Sequence, residues 1–369
     1  MNTAQNVIYL CSCALNNKTP DPSLVQEMDL DAVYAFAARH MISAAVAMAL
    51  ESADFKDSRS ENAIGKAIRK EVIFQSALQD ISSRMEKEQI WHAPLKGAVI
   101  KDYYPKFGMR EMSDVDILID PDHVEEVKQI MEDLGFTTIK YGSDTHDIYH
   151  KEPILNVEIH KSFFNSNHEA VFQEYFHSFQ AKLDKQTYVY QFSPEDFYIF
   201  LIAHEYKHFS GGGTGLRSLM DTYVYTKSVP LDLISVTAEM EKLGIAEFER
   251  SNRLLSAKLF TDKDLTEAEQ KQLDYILSSG TYGSLFHKID NSLNKNSWSK
   301  IDYVVRRFSI PISKKNKDYA SYVAEYPVFY KYKFLLPFLP FYRIIQSVNH
   351  GRFFSELDAL KKVTNNKHR

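Results

Sequence analysis

The chain has 369 residues, 44% of them hydrophobic, with 44 Lys and Arg against 49 Asp and Glu, for a formal net charge of -5. This is the composition of an ordinary globular protein with enough apolar material for a large core divided into two or three parts. The negative balance argues against a general nucleic-acid binder, whose footprint would be basic, and so disfavours a polymerase while leaving room for a local basic groove.

Cys11 and Cys13 are the only cysteines, too close and too few for a disulfide framework or a complete zinc site, so a reducing, cytoplasmic home is expected. The apolar run Val7 to Cys11 has no basic region before it and soon meets Asn16, Asn17 and Lys18, unlike a secretory signal. No stretch reaches the uninterrupted length of a membrane helix.

Residues 1–88 read as a helical region. Apolar or small residues recur through Leu24, Met28, Ala32, Val33, Phe36 and Ala37, then from Ile42 to Leu50, and Ile64, Ala67, Ile68, Val72, Phe74 and Leu78 keep a roughly helical spacing. A strand is expected from Ile90 to Leu95. Lys96-Gly97-Ala98 follows it, offering a glycine turn at a helix start and an ammonium, and Arg110 adds a guanidinium, which together are what a phosphate needs. Arg110 has an alternative use, a salt bridge with Glu111 or Asp114.

The segment Ser113-Asp-Val-Asp-Ile-Leu-Ile-Asp120 carries the sharpest signal. A strand of period two aims Asp114 and Asp116 at one face while Val115, Ile117 and Ile119 fill the other. Two like charges about 7 Å apart on a half-buried strand are costly unless a cation lies between them, and Mg²⁺ (or Mn²⁺) takes carboxylate oxygens. Pro121 to Leu134 reads as an amphipathic helix stopped by Gly135. Phe136 to Lys140 and Ile154 to His160 return as strands. In the second of these Glu158 and His160 share a face, with Glu158 the candidate third carboxylate and His160 read as a structural hydrogen-bonding residue.

A Lys-Gly turn, then an arginine, then Asp-hydrophobic-Asp on a strand resembles the nucleotidyltransferase superfamily with the DNA polymerase beta-like palm, and most of all its little-characterised bacterial branch with a Leu-Lys-Gly signature. In the wider superfamily the turn is usually Gly-Gly or Gly-Ser; here Lys96-Gly97-Ala98 replaces it, and the missing serine removes one phosphate donor. The resemblance implies that Asp114, Asp116 and Glu158 are catalytic and hold the metal ions, with Glu158 helping to deprotonate an attacking hydroxyl. Two ions about 3.5 to 4 Å apart would then serve an in-line displacement at the alpha-phosphate of an NTP. Lys96, Gly97 and Arg110 would bind the nucleotide.

Ser193-Pro194-Glu195-Asp196 is a helix start, Thr266-Glu267-Ala268-Glu269 is a capping box, and helical signals dominate from 193 to the end. His204-Glu205-Tyr206-Lys207-His208 matches H-E-x-x-H, in which two histidines one helical turn apart bind zinc and the glutamate activates water. A zinc metallopeptidase is therefore the rival reading. The Leu-Lys-Gly branch looks similar in this helix as well, which instead implies that His160, His204, Lys207, His208, Arg217 and Asp221 line a substrate cleft, with Asp221 orienting Arg217. The aromatic stretch Tyr326 to Arg343 reads as packing, with a membrane-surface or partner-binding patch as the alternative.

The expected architecture is α+β: a nucleotidyltransferase palm with a mixed β-sheet over 89–192, between a helical region at 1–88 and a helical domain at 193–369. The expected activity is Mg²⁺-dependent transfer of an NMP from an NTP to a hydroxyl of a small molecule or protein, releasing pyrophosphate. A non-catalytic nucleotide-binding protein is the third reading.

Overall fold

In the computed structural model of the chain the described residues are 1–143, 145–164, 170–180, 188–314, 316, 319–349 and 351–363. They fall into two compact units, one built from 1–206 and 215–277, the other from 207–214 and 278–369.

The first unit holds the sheet. Its five strands, β1 (His92–Pro94), β2 (Val115–Ile119), β3 (Thr137–Lys140), β4 (His146–Lys151) and β5 (Leu155–His160), lie in the order β1-β2-β5-β4-β3. β2 and β5 run parallel while the other neighbours are antiparallel, so the sheet is mixed and the fold α+β, as expected. The parallel pair sets the register that matters: Asp116 stands directly opposite Glu158, and Leu118 opposite His160.

Period-two alternation sorts the sheet into two faces. Val115, Ile117, Ile119, Val157 and Ile159 form one continuous core with Phe74, Ile81 and Met85 of the helix Ser58–Lys87 and Val127 and Met131 of the helix Val124–Asp133. This apolar layer makes the register costly to change, since a one-residue slip would send every core side chain to the opposite face. Asp116, Glu158 and His160 are thereby held on the other side.

β4 is an element that the sequence reading did not expect. Its alternation is obscured because Asp147 is fully buried, with Oδ1 accepting from the Gly142 amide at 2.8 Å and from Lys161 Nζ at 3.1 Å. The predicted strand Ile90 to Leu95 is shorter than expected, and the segment from Pro121 opens as one 3-10 turn, Pro121–His123, before Val124–Asp133.

Before the sheet, the helices Thr3–Leu15, Pro22–Gln26, Leu30–Arg39 and Ser43–Ser52 precede the long helix Ser58–Lys87. After it, the first unit continues through Pro194–Gly211, which runs on into the second unit, and then Leu216–Ser228, Leu233–Lys242, Ala246–Leu259 and Glu267–Ser279. The Thr266 capping box forms as read: the Glu269 amide donates to Thr266 Oγ1 at 3.3 Å and the Thr266 amide to Glu269 Oε2 at 2.7 Å.

The second unit is helical among its described residues. Tyr326, Tyr330, Leu336 and Leu339 form a small core, so the aromatic stretch does pack, but on one side only. Phe334, Phe338 and Phe341 remain exposed. Among the described residues no helix is long and apolar enough to cross a membrane.

Candidate active site

The polar face of the sheet converges on one oxygen. Asp116 is 3% exposed, and its Oδ1 lies 2.6 Å from Lys96 Nζ and 2.8 Å from His160 Nε2. Two residues along β5 from His160, on the same face, Glu158 brings Oε2 to 3.4 Å from the same imidazole nitrogen. His146, paired with His160 across β4, places Nε2 at 3.9 Å from Glu158 Oε2, and the two imidazoles are 5.1 Å apart. The sequence reading missed His146 because it missed β4.

Lys96 reaches this site through an unusual backbone. At φ 46° and ψ -116° it occupies a region that L side chains rarely adopt, which costs of order 1–3 kcal/mol unless surroundings enforce it. Those surroundings are visible: the Leu95 amide donates to the Asp116 carbonyl at 2.9 Å, fixing the chain just before the turn against β2. The helix that follows, Gly97–Ile100, is a single turn. Gly97 is needed there because a Cβ would meet Arg110 Nη1 at 2.5 Å.

Electrostatics follows from this geometry. Burial alone would raise the Asp116 carboxyl, but Lys96 and His160 hold it well below the usual carboxylate range. Burial likewise opposes the Lys96 ammonium, and Asp116 outweighs it, so its pKa stands above the ordinary lysine value. Asp114, one residue before β2, is pushed up by burial and by the charge on Asp116, and accepts from Ser113 Oγ at 3.0 Å. For Glu158 burial and the Asp116 charge push the carboxyl up, and the His160 hydrogen bond together with the Lys96 and His160 charges brings it below the ordinary value. One more positive charge would relieve Asp114, the acid that is held up.

The donor set fits a divalent cation. One ligand atom each from Asp116, Glu158 and His160 lies within 4.8 Å of the others, the grouping of this kind found among the described residues. The two carboxylates suit Mg²⁺ or Mn²⁺, and the imidazole is a ligand that a transition ion such as Mn²⁺ takes more readily than Mg²⁺ does. Asp114 stands outside this trio while sharing its field.

The remaining residues singled out from sequence go to different places. Arg110 pairs with neither Glu111 nor Asp114: its Nε and Nη2 grip Asp221 Oδ1 and Oδ2 at 3.0 and 2.9 Å, in a buried bidentate pair that also takes the Tyr104 hydroxyl at 2.6 Å. Both Asp221 oxygens are matched to the Arg110 fork, so its hydrogen bonds go to Arg110 and Tyr104 where the sequence pattern pairs it with Arg217. Arg217 instead donates to the Glu111 carbonyl at 2.9 Å, and burial, then Arg110, lower its pKa.

In the H-E-x-x-H segment, His204 lies beside the Phe200 ring at 6.0 Å between centroids. Glu205 is buried, its Oε2 accepting from Asn252 Nδ2 at 3.0 Å and Thr222 Oγ1 at 3.3 Å. Burial raises this carboxyl to about 7. Lys207 and His208 fall within the second unit. Among the described residues the three-ligand grouping forms at the sheet and not around His204 and His208.

The profile of a family described as uncharacterised nucleotidyltransferase matches residues 26–261, which takes in the sheet, the Lys96 turn and the Arg110–Asp221 pair. No curated protein and no solved structure matches the chain.

Proposed function

The chain belongs to the uncharacterised nucleotidyltransferase family, and on that premise we propose that it transfers an NMP from an NTP to a hydroxyl of a small molecule or protein, with a divalent cation, Mg²⁺ or Mn²⁺. The observation that carries this reading is the parallel register of β2 and β5, which sets Asp116 against Glu158 on the polar face with His160 beside them.

In this reading Asp116 and Glu158 would hold the cation with Asp114 beside them, and His160 would complete or steady the set. The bound cation would neutralise phosphate charge and polarise the alpha-phosphate. The acceptor oxygen forms a bond to the alpha-phosphorus, and the bridging oxygen leaves with pyrophosphate. Glu158, its side chain 24% exposed, would take the hydroxyl proton or pass it to solvent. Lys96 turns its ammonium from Asp116 to a phosphate oxygen. Gly97 lets the turn approach Arg110, whose grip on Asp221 makes it a positioning residue for that turn.

The test supplies the protein with each alpha-labelled NTP, Mg²⁺ or Mn²⁺, and a cell extract fractionated into small molecules and proteins. Label transferred to one fraction, with pyrophosphate released, is the expected result. Asp116→Asn and Glu158→Gln should each cut transfer by at least about 10²-fold, the scale for removing one group that stabilises transition-state charge. Nucleotide binding without transfer to any fraction would instead indicate a non-catalytic nucleotide-binding protein.

A further inference from the structure

The aromatic stretch of the second unit carries two apolar sides where an ordinary surface helix carries one. Leu336 and Leu339 turn inward against Tyr326 and Tyr330. On the outside, Phe334, Phe338, Phe341 and Ile345 are 73%, 61%, 66% and 59% exposed, and Val348 extends the row. Phe338, Phe341, Ile345 and Val348 are spaced by three, four and three residues from the end of the 3-10 segment Lys333–Phe338 along the helix Leu339–Asn349, so they form one stripe, with Phe334 exposed just before it. Single exposed apolar residues need no explanation, but an aligned row of large ones marks a contact surface.

We propose that this stripe docks on an anionic lipid surface, lying in the headgroup layer rather than crossing it. Charge identifies the occupant. From Tyr326 to Asn349 there is no acidic residue, while Lys331, Lys333 and Arg343 are present, in a chain whose net charge is -5. Lys331 and Lys333 are exposed at the start of the stripe, so a positive edge adjoins the apolar row. Lysine is depleted from the cores of protein interfaces, whereas lysines beside an apolar helical face favour anionic headgroups. Tyr332 and Tyr342, both exposed, add rings with polar tips of the kind that settle at the membrane–water boundary. Pro337 and Pro340 interrupt the segment, and no described helix is long and apolar enough to span. The inference is independent of the nucleotidyl-transfer reading.

The experiment sediments the full chain with vesicles of phosphatidylcholine alone and of phosphatidylcholine with phosphatidylglycerol. Binding to the anionic vesicles that weakens as salt is added is expected. Removing two large apolar groups with Phe338→Ser and Phe341→Ser should lower partitioning more than about tenfold. Lys331→Gln and Lys333→Gln should each lower it about fivefold at low salt. All four positions are exposed, and an unchanged melting curve certifies the fold of each variant. Phe341→Trp should bind and be quenched by brominated acyl chains. Failure of the parent chain to bind either vesicle overturns the proposal, as does an unquenched Phe341→Trp chain on vesicles. A dimer in solution that the two serine substitutions dissociate also overturns it, since a second copy then covers the stripe.

Discussion

Lys96 Nζ lies 2.6 Å from Asp116 Oδ1, on the carboxylate whose partners across the sheet are Glu158 and His160. An ammonium is thus held on the carboxylate that a divalent cation would also draw on. It arrives there from a backbone conformation that only a constrained turn would tolerate. Competition between the two cations has a measurable consequence. Lys96→Met should tighten Mn²⁺ binding in the absence of nucleotide by about tenfold, the scale of one lost charge-assisted contact. The same variant should transfer nucleotide more slowly, because the phosphate loses its ammonium. Mn²⁺ titration followed by electron paramagnetic resonance reads the first effect. A lysine that merely props the carboxylate would weaken binding and turnover together.

Gly97 and Arg110 form a second coupled pair. A Cβ on Gly97 would sit 2.5 Å from Arg110 Nη1, and the guanidinium cannot retreat easily while Asp221 holds its other two nitrogens at 3.0 and 2.9 Å. Gly97→Ala should cost about 1–3 kcal/mol, the usual price of overpacking. In an Arg110→Met background the same substitution should cost much less, and denaturant melts of the four proteins form the cycle that measures the difference.

The parts of this site that were legible in the sequence are those with a local or periodic signature. Val115, Ile117 and Ile119 alternate with Asp116, so the strand and its acidic face could be read directly, and the same period exposed Glu158 and His160. Thr266 and Glu269 are three residues apart and cap their helix as read. Arg110 and Asp221 are 111 positions apart and belong to no short pattern, so local spacing points each to a nearer partner than it has. β4 was hidden for a different reason. Asp147 occupies a core-side position, and only its contacts to Gly142 and Lys161, invisible to periodicity, make that burial tolerable.

Asp221 is the anchor of its buried cluster. Asp221→Ala would leave the Arg110 guanidinium buried without its carboxylate and should cost about 3–5 kcal/mol, while Tyr104→Phe removes one hydrogen bond to that charge and should cost about 1.5–3 kcal/mol. Arg217 bonds to the Glu111 carbonyl and not to Asp221, yet the Asp221 charge favours its buried guanidinium, so Arg217→Met and Asp221→Ala should couple through the field without a shared hydrogen bond. Strict additivity in urea melts of the double variant would show that the two buried charges do not act on each other.

Glu205 gives the fold a predictable pH dependence. Its carboxyl is raised to about 7 by burial, whereas in the unfolded chain a glutamate titrates near ~4.3. The folded state therefore binds the proton more tightly, and the stability tied to this group is fully present below the unfolded value. It is lost as pH rises, most of it before the carboxyl ionises fully above about 7. The total is on the order of 3 kcal/mol. Glu205→Gln keeps an oxygen for Asn252 Nδ2 and Thr222 Oγ1 but has no proton to lose. It should flatten the fall in melting temperature between mildly acidic and neutral pH and leave the variant more stable than the parent in alkaline buffer. Parallel melting curves for the two chains across that range would mean that Glu205 stays ionised in the fold. In that case water or a cation must reach it, and the H-E-x-x-H segment would deserve zinc analysis.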